Sequence, residues 1–413
     1  MIKIDSAPEV LQGQFTLPAS KSICNRALII RELSGNSFNI ENISESEDSQ
    51  NLKRNLNSLK QDALAVQTVN VGPAGTNMRF LTALLSAMEG EYILKGSQRM
   101  HQRPVKVLVE ALKSLGAEIT YLENEGFPPL RIKPGRLRGG KIEIPSHVSS
   151  QFISSLMMIG PVLTEGLKLS LAGKTVSSSY IQMTREIMQA CGAVVDWEKN
   201  GITIQPSGYS RKEDFLVEAD WSAASYWYAL ATASKHSDIL LKGLHQKSFQ
   251  GDAVVRNWFE DFGIKTEWDG EGFRLMKQNQ PKLTEFVQDF TNNPDLAQTM
   301  IPLLSLLKLT GKLTGLQTLR IKETDRIVAM QSEMAKFGVD LHFENEYLTV
   351  PPVWPKFSEK SVKTYKDHRM AMAMVILSYA FSPVKIEDET VVGKSYPRFW
   401  DDLQKAGFKM EKL

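Results

Sequence analysis

Six short polar segments, each directly before a mainly apolar stretch, hold most of the residues that could do chemistry. These polar heads are SKS at 20–22, GT at 75–76, SSQ at 149–151, DWS at 220–222, PD at 294–295 and DHR at 367–369. Each apolar stretch is long enough for a helix, and a helix N-terminus presents unpaired N–H groups with about half a positive charge. Such an end binds anions readily. The polar heads therefore predict a set of anion sites.

Capping is the simpler explanation for any single polar head, because Ser, Thr and Asp are favoured N-caps worth about 1 kcal/mol each. Capping does not explain why Lys21 and Arg26 share one apolar helix, or why His368 and Arg369 begin another. Burying charge is costly unless an anion or an ion-pair partner compensates for it. We therefore expect these four residues to serve an anionic ligand.

Further basic residues stand just outside the polar heads: Arg103, Lys322, Arg326 and Lys394. Each of them alone is typical of a solvated surface. The KETDR segment at 322–326 is also compatible with an ordinary helix start that Thr324 caps, with Glu323 and Asp325 balancing Arg326. That alternative stays open at the level of sequence.

A second phrase, in which a helical run ends at Gly and an extended run follows, alternates with the polar heads. Its glycines are Gly116, Gly192, Gly263, Gly338 and Gly407, at intervals of 76, 71, 75 and 69 residues. Glycine fits there because a helix often ends in a left-handed residue. Lys60 takes the Gly position in a degenerate first copy. Six repeats of about 70 residues therefore account for the whole chain.

Each repeat combines two kinds of helix with short β-rich runs. The helices behind the polar heads are apolar almost all round, which places them in an interior, whereas the Gly-terminated helices are amphipathic. Each repeat is therefore a small α/β module with one inner and one outer helix. Six inner helices are too many for one core of this size, so we expect two bundles of three.

The composition excludes several classes of protein. The 413 residues are 42% hydrophobic and 23% charged, which is typical of a folded chain with a large core. The 49 Lys and Arg residues against 47 Asp and Glu residues leave a net charge of +2, too small for a dedicated nucleic-acid binder. Cys24 and Cys191 form no disulfide framework or zinc pattern. Without a signal peptide or a membrane-length apolar run, we expect a cytoplasmic protein.

Five motifs in this order resemble one family, that of 5-enolpyruvylshikimate-3-phosphate synthase, or 3-phosphoshikimate 1-carboxyvinyltransferase. The motifs are LPASKSICNRA at 17–27, PAGTNMR at 73–79, SSQF at 149–152, KETDR at 322–326 and DHRMAM at 367–372. Each motif alone is a weak signal, but five at these spacings are highly specific. The resemblance covers the chain from residue 17 to about residue 400.

The resemblance implies a two-domain, inside-out α/β barrel built from six βαβαββ repeats, three in each domain. Buried inner helices would point their N-termini at the interdomain cleft. One domain would be 18–218, mainly on the side of shikimate 3-phosphate. The other would combine 1–17 with 219–413 and carry the phosphoenolpyruvate side and the catalytic acids.

The resemblance also implies a reaction. Phosphoenolpyruvate gives its enolpyruvyl group to the 5-hydroxyl of shikimate 3-phosphate and phosphate leaves, by addition and elimination, on the shikimate pathway to chorismate and the aromatic amino acids. The chemistry needs proton donors and acceptors and cations around the anionic groups, without a metal or an organic cofactor. We expect a cytoplasmic monomer with no nucleic-acid or membrane partner, and a target of glyphosate.

Individual roles follow from the resemblance, residue by residue. Asp295 would accept the 5-hydroxyl proton, Glu323 would protonate the vinyl carbon, Lys21 would touch both substrates, and His368 would support the site. Shikimate 3-phosphate would be bound by Lys21, Ser22, Arg26, Ser149, Ser150, Gln151, Ser177, Asp295 and Lys322. Phosphoenolpyruvate would be bound by Lys21, Gly75, Arg103, Gln151, Arg326, Arg369 and Lys394.

Two positions depart from the pattern, and two other functions compete. Thr318 stands where some relatives have an Asn that contacts the shikimate ligand, and Phe80 stands where some have Pro. The sister transferase acting on UDP-N-acetylglucosamine usually has a reactive Cys in the loop that is 96–104 here, and this loop has none. A non-catalytic anion-binding or RNA-binding module on the same repeats would need neither Asp295 nor Glu323.

Overall fold

The computed structural model of the protein describes residues 1–59, 66–145, 149–172, 178–198 and 201–413. Within these residues the chain divides into two compact units. The first unit consists of Met1–Ser20 and Glu218–Leu413, and the second is Lys21–Val217.

The described residues contain twelve α-helices. Their bounds are α1 Lys21–Leu33, α2 Glu47–Ser58, α3 Gly75–Ser86, α4 Lys106–Ser114, α5 Ser150–Ile159, α6 Ser178–Ala190, α7 Trp221–Ala233, α8 Val255–Asp261, α9 Ala297–Leu306, α10 Arg326–Ala335, α11 His368–Met374 and α12 Phe399–Lys405.

The same residues contain 21 strands. Their bounds are β1 Ile2–Ser6, β2 Val10–Thr16, β3 Ile40–Glu41, β4 Gln67–Asn70, β5 Tyr92–Lys95, β6 Glu118–Tyr121, β7 Leu130–Lys133, β8 Gly140–Pro145, β9 Leu167–Ala172, β10 Val195–Glu198, β11 Gly201–Ile204, β12 Phe215–Leu216, β13 His236–Lys242, β14 Ile264–Trp268, β15 Gly272–Lys277, β16 Glu285–Asp289, β17 Thr310–Thr314, β18 His342–Glu344, β19 Tyr347–Val350, β20 Val384–Ile386 and β21 Lys409–Lys412.

Four of the sheets have the same topology. Their strand orders are β4-β5-β7-β6, β8-β9-β11-β10, β2-β13-β15-β14 and β16-β17-β19-β18. In each sheet the first two strands are parallel and the next two pairings are antiparallel. Parallel strands require a crossover connection, which a helix supplies. This is the βαβαββ order that the family resemblance implies, and it fits the α/β module with one inner and one outer helix that the repeat predicts.

Strands from distant parts of the chain complete three of the six sheets in the described residues. In the second unit β12 lies parallel to β3, although about 175 residues separate them. In the first unit β2 lies parallel to β13, and Phe15 of β2 stacks on Trp227 of α7 with ring centroids 4.1 Å apart. The three-stranded sheet β20-β1-β21 likewise uses the N-terminal strand β1. The described residues of each unit thus form three sheets.

The polar heads do begin the buried helices. Every residue of α7 from Trp221 to Thr232 is buried, and α3 and α9 are buried almost throughout. Within the second unit α1, α3 and α5 pack on one another, and within the first unit α9 packs against α7 and α11. The described part of the chain holds no helix long and apolar enough to cross a membrane.

The predicted helix ends are also found, with one correction at a helix start. Gly116, Gly192, Gly263, Gly338 and Gly407 all have positive φ angles, between 73° and 105°. Lys60 lies outside the described residues. The suggestion that Thr324 caps the KETDR helix is wrong, because Asp325 caps α10 by accepting from the backbone N–H groups of Ile327 and Val328. An Asp side chain has the right length to bond the second and third N–H groups of a helix.

Candidate functional site

Lys21 is the first residue of α1 and lies next to a carboxylate that the sequence analysis did not single out. Its Nζ is 3.1 Å from Oδ2 of Asp48, which lies in the first turn of α2. The side chain of Asn77 donates to the backbone carbonyl of Asp48 at 2.8 Å and accepts from Asn25 at 3.0 Å. Ser49 donates to Asn25 at 2.6 Å. This buried polar network fixes α2, and with it Asp48, beside the head of α1.

Arg26 lies one turn further along α1, and its exposed fraction is only 2%. Its guanidinium donates to the hydroxyls of Thr184 and Ser154, at 2.7 and 3.2 Å, and to the carbonyl of Ser22 at 2.8 Å. Burial lowers the pKa of Arg26 to about 10. The guanidinium thus ties α1 to α5 and α6 with neutral acceptors and keeps its charge in the interior.

The heads of α3 and α5 meet in the same unit. Gln151 donates from its side chain to the hydroxyl of Thr76 at 3.0 Å, and Ser149 caps α5. Arg103 lies so close to the first residue of α3 that a Cβ on Gly75 would be 2.7 Å from the guanidinium carbon. The absence of a side chain at Gly75 is therefore what leaves room for Arg103.

Arg326 is the centre of a second cluster, which belongs to the first unit. It is 2% exposed and donates to three carboxylates: Asp367 at 2.7 Å, Asp295 at 2.8 Å and Glu323 at 3.0 Å. Burial opposes its charge, but the three carboxylates together raise the pKa of Arg326 above its ordinary value. The hypothesis of a solvated surface charge is wrong for Arg326.

Asp295 lies among cations at the start of the fifth buried helix, in the 3₁₀ turn Pro294–Leu296 before α9. Besides its bond to Arg326, it accepts from Arg369 at 3.0 Å, and the Nζ of Lys322 is 3.8 Å away. Desolvation lowers the pKa of Lys322, and the charge of Asp295 opposes that shift. The three predicted basic residues and the predicted proton acceptor are thus brought together, with Glu323 at the edge.

Four more of the predicted site residues lie in the part of the chain that the structure describes. His368 is buried in the first turn of α11, with Nδ1 3.9 Å from an oxygen of Asp367. Lys394 donates to the carbonyl of Lys366 at 2.5 Å. The hydroxyl of Thr318 is buried and has no hydrogen-bond partner among the described residues. Ser150 is buried at the start of α5, and Ser177 lies outside the described residues.

Sequence reasoning missed the acids that hold the basic residues in place. Asp48 lies in a polar stretch without a motif. Asp367 belongs to the DHR head, but only the distance of 2.7 Å between its carboxylate and the guanidinium of Arg326 shows that the two form an ion pair. Asp252 is buried beside the head of α7, where Ser222 and Asn293 donate to it. No local pattern reports such pairings, because they join residues 27 to 41 positions apart.

We expect Asp367→Ala to lower the free energy of unfolding by about 3 kcal/mol. The substitution removes a fully buried partner of Arg326, and losing one member of a buried ion pair costs about 3–5 kcal/mol. Asp295 and Glu323 retain part of the pairing, whereas the lost cap of α11 adds about 1 kcal/mol. Urea denaturation followed by circular dichroism measures the loss. The exposed Glu359→Ala is the control, and a loss below about 1 kcal/mol for Asp367→Ala would contradict the assignment.

Comparison with known families decides what this arrangement belongs to. Residues 6–403 match the family model for EPSP synthase (3-phosphoshikimate 1-carboxyvinyltransferase). The chain belongs to the EPSP synthase family. The match includes both clusters, from Lys21 to Lys394, and so agrees with the resemblance that the five motifs carry.

Curated EPSP synthase relatives extend the match over almost the full chain. A 3-phosphoshikimate 1-carboxyvinyltransferase from Bacteroides fragilis is 44% identical over 409 residues, covering 98% of this chain and 97% of the relative. One from Photobacterium profundum is 34% identical over 419 residues, covering 95% and 96%.

Solved EPSP synthase structures share the fold. An EPSP synthase from Acinetobacter baumannii superposes with a TM-score of 0.79 over 99% of both chains, at 20% identity. The α/β, two-domain fold class that the sequence predicts is therefore confirmed.

Proposed function

We propose that this protein transfers the enolpyruvyl group of phosphoenolpyruvate to the 5-hydroxyl of shikimate 3-phosphate and releases phosphate. Membership of the EPSP synthase family over residues 6–403 is the observation that carries the proposal. The cluster around Arg326 supports it, because it sets two carboxylates, Asp295 and Glu323, among cations. A reaction between two anions needs both features.

Binding of the substrates uses basic and polar residues near the polar heads. Lys21 contacts both substrates, and Arg103 at Gly75 binds phosphoenolpyruvate together with Arg369 and Lys394. Shikimate 3-phosphate is bound by Ser22 and Arg26 of α1, by Ser149, Ser150 and Gln151 at the head of α5, and by Ser177. Phosphates and carboxylates accept short, charge-assisted hydrogen bonds from such groups.

The chemical step moves two protons in the addition. The 5-hydroxyl oxygen attacks the C2 carbon of phosphoenolpyruvate, Asp295 takes the hydroxyl proton, and Glu323 gives a proton to the C3 carbon. In the elimination a C3 proton returns to Glu323, the C–O bond to phosphate breaks, and the departing phosphate takes up the proton held by Asp295, so both carboxyl groups regain their starting protonation states. Arg326 bonds both carboxylates, and these bonds orient them.

A coupled assay of phosphate release tests the proposed function. Purified protein with phosphoenolpyruvate and shikimate 3-phosphate should release phosphate at a turnover number typical of enzymes, about 1 to 1000 per second. Omitting shikimate 3-phosphate should abolish release. Replacing it with UDP-N-acetylglucosamine tests the sister transferase, and release only in that arm would overturn the assignment. Binding of shikimate 3-phosphate without any release would favour the non-catalytic anion-binding module.

The physiological setting follows from the same proposal. The enzyme works as a monomer in the cytoplasm, on the shikimate pathway to chorismate and the aromatic amino acids, and glyphosate competes at the phosphoenolpyruvate site. Gel filtration with light scattering tests the monomer.

We expect Gly75→Ala to raise the KM for phosphoenolpyruvate by about tenfold or more. The new Cβ would overlap the guanidinium of Arg103, which must move, and a misplacement of about 1 Å can cost about 100-fold. The KM for shikimate 3-phosphate should change much less. Steady-state kinetics with each substrate varied in turn makes the measurement.

A double-mutant cycle is the control for this prediction. In an Arg103→Ala background, Gly75→Ala should add little to the KM for phosphoenolpyruvate, because the group it displaces is gone. An equal effect of Gly75→Ala in both backgrounds would show that Arg103 does not mediate it.

A further inference from the structure

Asp252 is a buried carboxylate that neither the polar heads nor the five motifs contain. It lies in the 3₁₀ turn Gly251–Val254, and its exposed fraction is 5%. Oδ2 accepts from the hydroxyl of Ser222 at 2.5 Å, and Oδ1 accepts from the side-chain amide of Asn293 at 3.1 Å. The carboxylate thus joins the first turn of α7 to the residues just before α9.

The hydrogen bonds that Asp252 makes do not by themselves require a charged side chain at this position. A hydroxyl and an amide are its two donors, and burying a charge is costly unless it is compensated. Burial raises the pKa of Asp252, and the negative charge of Asp295 raises it further, while Arg369 opposes this shift. The fold therefore keeps a second carboxylate in the neighbourhood of Asp295 in spite of a free-energy cost.

The hydrogen bond between Asp252 and Asn293 affects the position of Asp295, because Asn293 and Asp295 belong to the same turn. Asn293 donates its N–H to the carbonyl of Phe290 at 3.0 Å and accepts from the N–H of Leu296 at 3.1 Å, so its backbone closes the turn. Pro294 follows, and its ring fixes φ. Asp295 is the next residue. Holding the side chain of Asn293 therefore holds the turn that carries Asp295.

The negative charge of Asp252 also acts on the carboxylate of Asp295. Lys322 and Arg326 approach Asp295 from the segment of α10, and Arg369 approaches it from α11. These cations favour the ionised form of Asp295 and so weaken it as a proton acceptor. At the head of α7, where Asp220 caps the helix, Asp252 is a further carboxylate, and a nearby like charge strengthens the proton affinity of Asp295.

We propose that Asp252 is a positioning residue for Asp295, fixing its turn through Asn293 and strengthening it as a proton acceptor. The inference rests on the proposed function, in which Asp295 takes the 5-hydroxyl proton. Asp252 itself touches neither substrate in this role.

Asp252→Asn tests the proposal through turnover and its pH dependence. We expect the kcat for phosphate release to fall about 10-fold to 100-fold, no more than the smallest usual contribution of a general base, with little change in either KM. Without the charge of Asp252, Asp295 gives up its proton more readily. The acidic midpoint of the kcat profile should therefore move to lower pH.

The controls separate charge from structure. Asn293→Ala keeps the charge of Asp252 but removes the tether, so kcat should fall while the acidic midpoint stays at its wild-type pH. The exposed Asp401→Asn should match the wild type in both measurements. If Asp252→Asn does not fold, as judged by circular dichroism, Asn293→Ala decides, and wild-type kcat there would overturn the positioning role.

Two results would overturn the proposal with Asp252→Asn folded. One is a kcat and an acidic midpoint equal to those of the wild type. The other is a lower kcat with an unmoved midpoint, which would mean that only structure is lost. A wild-type protein without turnover on phosphoenolpyruvate and shikimate 3-phosphate would instead refute the proposed function, so the two failures are distinguishable.

Discussion

Lys21→Met should abolish turnover while leaving the fold intact. Lys21 begins a buried helix and is the cation that we propose contacts both anionic substrates. Charge-assisted hydrogen bonds to a ligand that gains charge in the transition state are worth several kcal/mol. Each 1.36 kcal/mol is about a factor of ten in rate, so we expect a loss of about 10³-fold or more in kcat/KM. The coupled phosphate assay measures it.

The structure makes Lys21→Met a clean substitution. Met keeps the length of the side chain, and Asp48, an ion-pair partner of Lys21, has a side chain that is 15% exposed and can take water in place of the ammonium group. We therefore expect the urea midpoint to change little. Lys212→Met, on the exposed surface of the same unit, is the matched control and should retain full turnover. Near-normal turnover of Lys21→Met would remove Lys21 from the site.

Asp295→Asn and Glu323→Gln should each lower kcat by about 10²-fold to 10⁴-fold, the usual contribution of a general acid or base. Both substitutions are nearly isosteric and remove the capacity to transfer a proton. Binding of shikimate 3-phosphate, measured by calorimetry, should change far less than kcat. A raised KM at unchanged kcat would show that the residue binds substrate and does not transfer the proton.

The two carboxylates differ in what else they do, and the structure predicts the difference. Asp295 bonds both Arg326 and Arg369, so Asp295→Asn leaves two guanidinium groups less well paired and should also lower the free energy of unfolding. Glu323 shares Arg326 with two other acids, and its side chain is 28% exposed, so Glu323→Gln should be nearly neutral for stability. Urea denaturation of both variants makes the comparison. The exposed Glu359→Gln should leave kcat and stability unchanged.

Local patterns in the sequence are enough to predict the repeat. A helix that is apolar all round must be buried, and a glycine directly after a helix commonly has a positive φ angle. The polar heads therefore mark where the inner helices begin, and the glycines mark where the outer helices end. The buried helix from Trp221 and the five glycines with positive φ follow these rules. The same rules fail at Thr324, because two neighbouring residues can both cap a helix and only the backbone decides between them.

The chemistry of the site was predictable only in part. The basic residues at the polar heads stand out because charge next to apolar sequence needs an explanation, and the motifs identify the family. The acidic residues that hold these basic residues in place do not stand out in the sequence. Arg326 has the sequence surroundings of a surface residue, yet it lies in the interior between Asp295, from the same repeat, and Asp367, from the next one.

Tertiary structure alone decided which distant segments complete each other. Strand β2 joins β13, and β12 joins β3, because the unpaired edge of a sheet takes the strand whose hydrogen bonds and apolar face fit, whatever its place in the chain. In the same way Asp252 reaches Asn293, and Asp48 reaches Lys21, across segments that share no sequence pattern. Periodicity is a local property that the sequence determines by itself. Ion pairs and the pairing of distant strands depend on distances that exist only after the chain has folded.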